Sequence, residues 1–343
     1  PLRARPCAGI AALRPEFAEQ MSALHIAVDA RNLAHDRRGI GRYVRAVLAE
    51  FAQHGEARVT LVEPGPFGQR APRGADVVWH PWNGTFFSAR VPSVVTFHDT
   101  APFRFPNPDP RKRRNEQQPF LRSAASARAF LTNSAFTLRE IEACLGVAPQ
   151  RATVTPLGVD HDVFTPHGGA AQLAGARPYI LFVGAHDVQK NVATLIAAWR
   201  TAFPSGAIAL AFTRAPATLP DGAFVLDATT DAQLADAYRG ALIAAVPSLY
   251  EGFGLPLIEA MACGTPAIAS RVAALPEAGG SACAWVDDPC DVDAWADALQ
   301  RVAADEPVRA ELRASGIERA ATFSWPRCAE ATLAVLQRTA ASA

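Results

Sequence analysis

Two carboxylates, Glu251 and Glu259, stand on either side of Gly252-Phe253-Gly254-Leu255-Pro256, a stretch that opens an apolar helix closed by Cys263-Gly264-Thr265-Pro266. Pro256 suits the first helical turn, where its missing N–H costs nothing. Gly252 and Gly254 remove side chains just ahead of that turn, so bare amides and the positive end of the helix dipole are open to an anion. Glu251 in the loop and Glu259 a turn into the helix can each accept hydrogen bonds from hydroxyls. A phosphate at the helix end with hydroxyls on both flanks describes a sugar nucleotide. The plainer reading makes Glu251 a surface-loop residue and Glu259 a solvated helix position, since Gly-x-Gly before a helix says little alone.

Other reactive groups sit where strands end. Lys190 closes the loop after YILFVGA, ahead of the helix VATLIAAWR, where an ammonium can neutralise a departing diphosphate. His98 ends the buried run SVVTFHD, a location that aims its imidazole into a cleft, toward a sugar hydroxyl or the charge developing at a reacting carbon. A surface lysine and a core histidine satisfied by a carbonyl are the plainer readings. Gly39 and Gly41 in DRRGIGRY precede a helix, and their neighbours Arg37, Arg38 and Arg42 read as solvated. His-Asp pairs begin at His35, His98, His161 and His186, but no helical ligand spacing supports a metal site. Asp291-Val292-Asp293 imitates a metal motif, yet its place at a helix start reads as capping.

The elements that must hold these groups alternate. Short β-rich runs (LHIAVDA, RVTLVE, ADVVWH, SVVTFHD, AFLTNS, ATVTPLGV) are separated by helical patterns, which predicts a parallel sheet covered on both faces. A Pro/Gly-rich segment interrupts, and the alternation restarts with YILFVGA, IALAF, AFVLDA, LIAAVPS and TPAIAS. The reading is an α/β chain of two Rossmann-like domains: 21–165, a linker over 166–178, and 179–324, with a final helix over 325–343 free to pack back on the first domain. Residues 1–20 read as a disordered extension outside the fold rather than a signal peptide. Ligands of open parallel sheets sit beyond the carboxyl ends of the strands, so two such sheets facing one another make a cleft.

With 343 residues, the chain is long enough for two cores. Its 33 basic side chains balance 33 acidic ones, which excludes a general polyanion binder, and no nucleic-acid partner is expected. Six cysteines without a C-x-x-C pair fit a reducing, cytoplasmic setting. No run reaches the roughly 18 apolar residues of a membrane span. The one dense basic run, Arg111 to Arg122, reads either as an exposed helix face or as a peripheral contact with anionic lipid heads or a polyprenyl-diphosphate acceptor.

The stretch EGFGLPLIEAMACGTPAIAS resembles the Glu-x7-Glu signature of the family 4 (group 1) retaining glycosyltransferases of GT-B fold. Similarity extends to DARNL, GIGRY, VVTFHDTAPFRFP, LTNSAFTLREI, TPLGVDHDVFTP, FVGAHDVQKN and DAQLADAYRGA, and so covers nearly everything from Met21 onward. The resemblance implies that Glu251 contacts the transferred sugar and Glu259 the ribose, with amides around Phe253, Gly254 and Leu255 on the sugar diphosphate. It implies a catalytic-site His98 whose loop Asp99 orients, and Gly39 and Gly41 as a loop facing the donor phosphates; Asp227, at the end of AFVLDA, is placed near the nucleobase by its position, where the family varies. The family usually has an arginine beside Lys190; Gln189 stands there, and Arg214 after IALAFTR is the candidate substitute.

The same resemblance implies a metal-independent mannosyltransferase-like enzyme without a cofactor. It would use a nucleotide-diphosphate sugar, GDP-mannose foremost, and a saccharide or lipid-linked saccharide acceptor in surface-polysaccharide or lipopolysaccharide assembly. The alternatives are a sugar-nucleotide epimerase or hydrolase of the same fold and a non-catalytic nucleotide-sugar-binding protein. An NAD oxidoreductase is disfavoured, since neither sheet opens with G-x-G-x-x-G followed by an acidic residue.

Overall fold

The computed structural model describes residues 23–36, 39–55, 57–63, 70–172 and 177–342. The segment 1–20, Arg37, Arg38 and part of the expected linker lie outside them. The first sheet contains β1 (Leu24–Asp29), β2 (Ala57–Val62), β3 (Val77–His80), β4 (Ser93–Phe97), β5 (Ala129–Thr132) and β6 (Ala152–Val154), in the order β2-β1-β3-β4-β5-β6. The second contains β7 (Tyr179–Phe182), β8 (Ala209–Phe212), β9 (Ala223–Val225), β10 (Ile243–Val246), β11 (Ala267–Ser270) and β12 (Ala284–Val286), in the order β12-β11-β10-β7-β8-β9. All neighbours are parallel. The central strands β3, β7, β8, β10 and β11 are buried at every residue, as strands covered on both faces must be.

The first sheet is covered by α1 (Gly39–His54), α2 (Ala101–Arg104), α3 (Pro110–Ser126) and α4 (Ala135–Leu145). α1 buries Tyr43, Val44, Val47 and Phe51, one helical face. α4 starts at Ser134, whose hydroxyl takes the Thr137 amide, and stops at the left-handed Gly146. The second sheet is flanked by α5 (Val192–Ala202), α6 (Asp231–Gly240), α7 (Leu255–Ala262), α8 (Leu275–Gly279), α9 (Val292–Ala304) and α10 (Glu306–Ala320). Thr230 and Gln233 close a reciprocal capping box on α6, and Asp291 caps α9 through the Ala294 amide, the role its sequence position suggests. β12 escapes a reading of runs: it is three residues long with a half-buried Trp285 at its centre, too short to show a period.

The chain crosses between the sheets twice. Outbound, Arg239 of α6 pins the connection by donating to the carbonyls of Thr165 and Gly169. Inbound, α11 (Trp325–Ala341) returns to the first domain and lies against α1 and β3–β5, burying Trp325, Cys328, Leu333 and Leu336. The crossings touch: His161 Nε2 donates to the Phe323 carbonyl at 2.9 Å, and a Cβ on Gly158 would stand 2.3 Å from the Trp325 nitrogen. Among the described residues no helix is long and apolar enough to span a membrane.

Candidate active site

The order of the second sheet reverses between β7 and β10, and such a switch point splays the two exit loops to leave a crevice. Those loops carry Lys190 and Glu251. Lys190 Nζ donates to Glu251 Oε1 at 2.6 Å, and Ser248 Oγ donates to the same oxygen at 2.7 Å. The loops are also joined through the backbone, the Leu249 amide meeting the Gln189 carbonyl at 2.8 Å. Asn191, with φ 53°, holds the base of the lysine loop by donating to the carbonyls of Pro247 and Pro289.

Beyond Glu251, the left-handed Gly254 (φ 108°) turns the chain into α7, whose N-terminus no side chain caps. The start of α1 faces it from the other domain: a side chain on Gly39 would meet a Leu255 methyl at 3.0 Å. Two positive helix ends therefore approach each other just beyond Glu251 in the chain, an arrangement able to attract one anion. Gly41 has a different reason to be glycine, since a Cβ there would strike the Asp36 carbonyl of its own loop.

The first domain contributes the exit of β4. His98 is buried and donates from Nε2 to the Pro81 carbonyl at 2.9 Å, so Nδ1 is the acceptor nitrogen of its ring. Burial lowers its pKa to about 4, and the imidazole is neutral. The plainer reading of His98 thus holds for one nitrogen. Asp99 caps the Ala101 amide at 2.9 Å; burial raises its pKa, with Glu251 pushing the same way and Lys190 opposing. Asn83, at φ 59°, accepts from the His98 amide through Oδ1. Asparagine adopts this left-handed conformation more readily than other non-glycine residues, and here it brings its side chain onto the His98 amide.

Domain contact is tight here. A Cβ on Gly252 would lie 1.7 Å from the His98 carbonyl oxygen. The Gly252 carbonyl in turn accepts from Ser134 Oγ at 2.6 Å and Thr137 Oγ1 at 3.0 Å, both at the start of α4.

Glu259 lies apart from Glu251. It is buried, with Tyr238 Oη at 3.4 Å and Arg42 of α1 donating to it across the cleft; Arg42 also reaches Asp231 at 2.6 Å. Arg42 is therefore not a solvated arginine but the interdomain partner of the second signature carboxylate. Its adjacency to Gly41 in GIGRY is a signal of position, whereas its pairing is visible only in three dimensions. Burial raises the Glu259 pKa to about 7 against the pull of Arg42. The carboxyl stabilises the fold fully below its unfolded value of 4.5 and less as pH climbs through 7. Replacing Arg42 with methionine should cost about 3 kcal/mol at pH 8.5, where it strands a buried charge, and under about 1 kcal/mol at pH 5.5, where Glu259 is protonated in both proteins. Urea denaturation at the two pH values reads the difference.

Two expected residues stay outside this cluster. Arg214 is exposed, and no described contact joins it to Lys190; its carbonyl accepts from His186. Asp227 accepts from Gln233 at 3.2 Å, beyond the edge strand β9. At the switch point of the first sheet, buried Asp29 accepts from Arg31 Nε at 3.0 Å with His80 Nδ1 at 3.4 Å; burial raises its pKa, but these partners outweigh burial and lower it overall. Asn83, Ser134 and Thr137 were legible only as turn and cap residues.

Comparison with known proteins bears on this cleft. Residues 71–163 match the profile for Glycosyltransferase Family 4 and residues 215–320 that for Glycosyl transferases group 1. The O-antigen chain mannosyltransferase B of Escherichia coli is 31% identical over 268 residues, 70% of this chain and 69% of that protein. The MMP alpha-(1->4)-mannosyltransferase of Mycolicibacterium hassiacum is 33% identical over 224 residues, 61% of this chain and 53% of that one. Sucrose-phosphate synthase from Thermosynechococcus elongatus superposes with a TM-score of 0.71 at 21% identity, over 93% of this chain and all of that one, a likeness of fold. Two facing Rossmann-like sheets, the signature loop at the switch point of the second and these relatives together make the chain a member of the group 1 glycosyltransferases, with the GT-B fold.

Proposed function

We propose that the chain transfers a hexose, mannose foremost, from a nucleotide-diphosphate donor to a hydroxyl of a saccharide or lipid-linked saccharide, with retention at the anomeric carbon. The observation that carries this reading is the Lys190–Glu251 pair just ahead of the α7 N-terminus, which the start of α1 approaches from the other domain. A diphosphate set there meets the α7 amides, the α1 dipole and the Lys190 ammonium. Glu251 accepts from hydroxyls of the sugar, and Glu259 lies along α7 on the side of the ribose.

Front-side displacement suits these groups. The bond from C1 to the phosphate oxygen breaks, the bond from C1 to the acceptor oxygen forms on the same face, and the acceptor proton passes to the departing phosphate. Lys190 and the helix ends stabilise the charge on the leaving diphosphate. Neutral His98 offers Nδ1 to a sugar hydroxyl, and Asn83 and Asp99 fix its loop. Catalysis of this kind is positioning and electrostatics. The mannosyltransferase names of two relatives support mannose and, through the O-antigen enzyme, a surface-polysaccharide acceptor.

A thermal-shift panel of GDP, UDP, ADP and TDP sugars tests the donor: GDP-mannose at 100 times its Kd should stabilise the protein by about 2.7 kcal/mol. Incubation of labelled donor with and without lipid extract then tests transfer, and the C1–H1 coupling of the product tests retention. Conversion of the sugar itself without transfer points to an epimerase, and an inverted product removes front-side displacement.

A further inference from the structure

Residues 250–252 are held by both domains. Glu251 is anchored within the second, through Lys190 and Ser248, while its two neighbours are anchored in the first. Tyr250 is buried, its ring edge-on to Phe105 and Phe136 of the first domain, with centroids 5.9 and 5.4 Å away. Its hydroxyl accepts from the Thr100 amide at 2.9 Å and lies 3.0 Å from Thr100 Oγ1. Glu140 completes the socket, accepting from Thr100 Oγ1 at 3.0 Å and from Arg104 Nε at 2.6 Å, with Tyr250 Oη at 3.4 Å.

We infer that Tyr250 is a positioning residue through which domain closure sets Glu251: its hydroxyl plugs a socket of the first domain two residues beyond His98. β10 ends at Val246, and the loop after it carries no helix until Leu255; its own domain holds Glu251 through Lys190, Ser248 and the Ala274 amide on its carbonyl, and the other domain adds the rest of the precision that transfer needs. Bolts on both sides supply it: Tyr250 Oη into the Thr100–Glu140–Arg104 socket and the Gly252 carbonyl onto Ser134 and Thr137. Burial raises the Tyr250 pKa, so the hydroxyl keeps its proton and can both accept from the Thr100 amide and donate. Separating the domains would empty the socket and free both neighbours of Glu251 at the same moment. A glycosyltransferase that places its sugar-contacting carboxylate only when closed does not waste donor in the open state. The role of Glu251 here rests on the donor reading above; the latch itself does not.

Tyr250→Phe tests it, with Glu140→Gln as a second variant that weakens the socket from the other side. Exchange of the Thr100 amide proton should speed up at least ~10-fold in Tyr250→Phe, because its acceptor is gone, while the cores of both sheets keep their protection. Turnover, read as nucleoside diphosphate released from whichever of GDP-mannose or UDP-glucose stabilises the wild type more, should fall ~10-fold or more. Affinity for that donor, by calorimetry, should stay within twofold. Unchanged Thr100 exchange overturns the latch whatever the donor proves to be, since that readout needs none. A freed Thr100 amide with turnover within twofold of wild type overturns the coupling, as does a parallel loss of donor affinity and global protection, the mark of a merely structural residue. Absence of turnover by the wild type with either sugar counts against the donor reading, and the exchange result then decides the latch alone.

Discussion

Replacing Gly252 with alanine should lower turnover by about 100-fold or more while donor affinity stays within a few-fold. A Cβ at this position would stand 1.7 Å from the His98 carbonyl oxygen and 2.8 Å from its carbon. Both atoms are backbone, so neither rotates aside, and the domains must separate by more than an ångström. The substitution brings no strain of its own, because Gly252 is not among the positive-φ glycines. Separation also stretches the bonds from Ser134 and Thr137 to the Gly252 carbonyl. The groups proposed to hold the diphosphate lie largely on the second domain, so binding survives while the catalytic geometry does not. Overpacking of this kind costs about 1–3 kcal/mol. Steady-state rates beside calorimetric donor affinity give the comparison, and turnover within threefold of wild type would remove the close approach from the mechanism.

Lys190→Ala should cost about 1,000-fold in turnover, comparable to deleting a donor from an oxyanion hole, and only about tenfold in donor affinity. The asymmetry stems from when charge appears: the diphosphate, already anionic when bound, gains a further negative charge as the bond to C1 breaks. Loss of Lys190 also leaves Glu251 with Ser248 alone and sets an unneutralised carboxylate beside the leaving group. A double-mutant cycle with Glu251→Gln separates the two contributions, since directly bonded residues are non-additive. Equal losses in affinity and rate would mean that Lys190 binds the ground state and does not favour the transition state.

Gln189, which stands where the family usually has an arginine, has a structural place: its carbonyl fastens the lysine loop to the signature loop. The substitute expected from sequence, Arg214, is exposed and makes no described contact with Lys190, although its carbonyl accepts from His186 of the same loop. On the proposed donor reading, Lys190 and the two helix termini then share the diphosphate charge between them, which raises the weight on that lysine.

Much of this was legible in the residues themselves. Buried β-rich runs alternating with amphipathic helices dictate parallel sheets, because both faces of each strand must be covered. Pro256 after two glycines marks an uncapped helix start from local backbone chemistry alone. Asp291 could be assigned as a cap because capping acts over three residues. Each of these interactions is short in sequence, so composition and spacing carry it.

Tertiary structure decided everything that depends on residues far apart in the chain meeting. Arg42 and Glu259 are 217 positions apart, Thr100 and Tyr250 150, and only the approach of the two sheets turns an apparently solvated arginine and an ordinary aromatic into interdomain fastenings. The same holds for Gly252, whose need to be glycine lies in a carbonyl of the other domain rather than in its own φ. Sequence determined the two folding units and the uncapped helix start behind the two glycines, since local sterics and burial set them; which side chains close the cleft over that loop was fixed by packing between domains, which no spacing rule encodes.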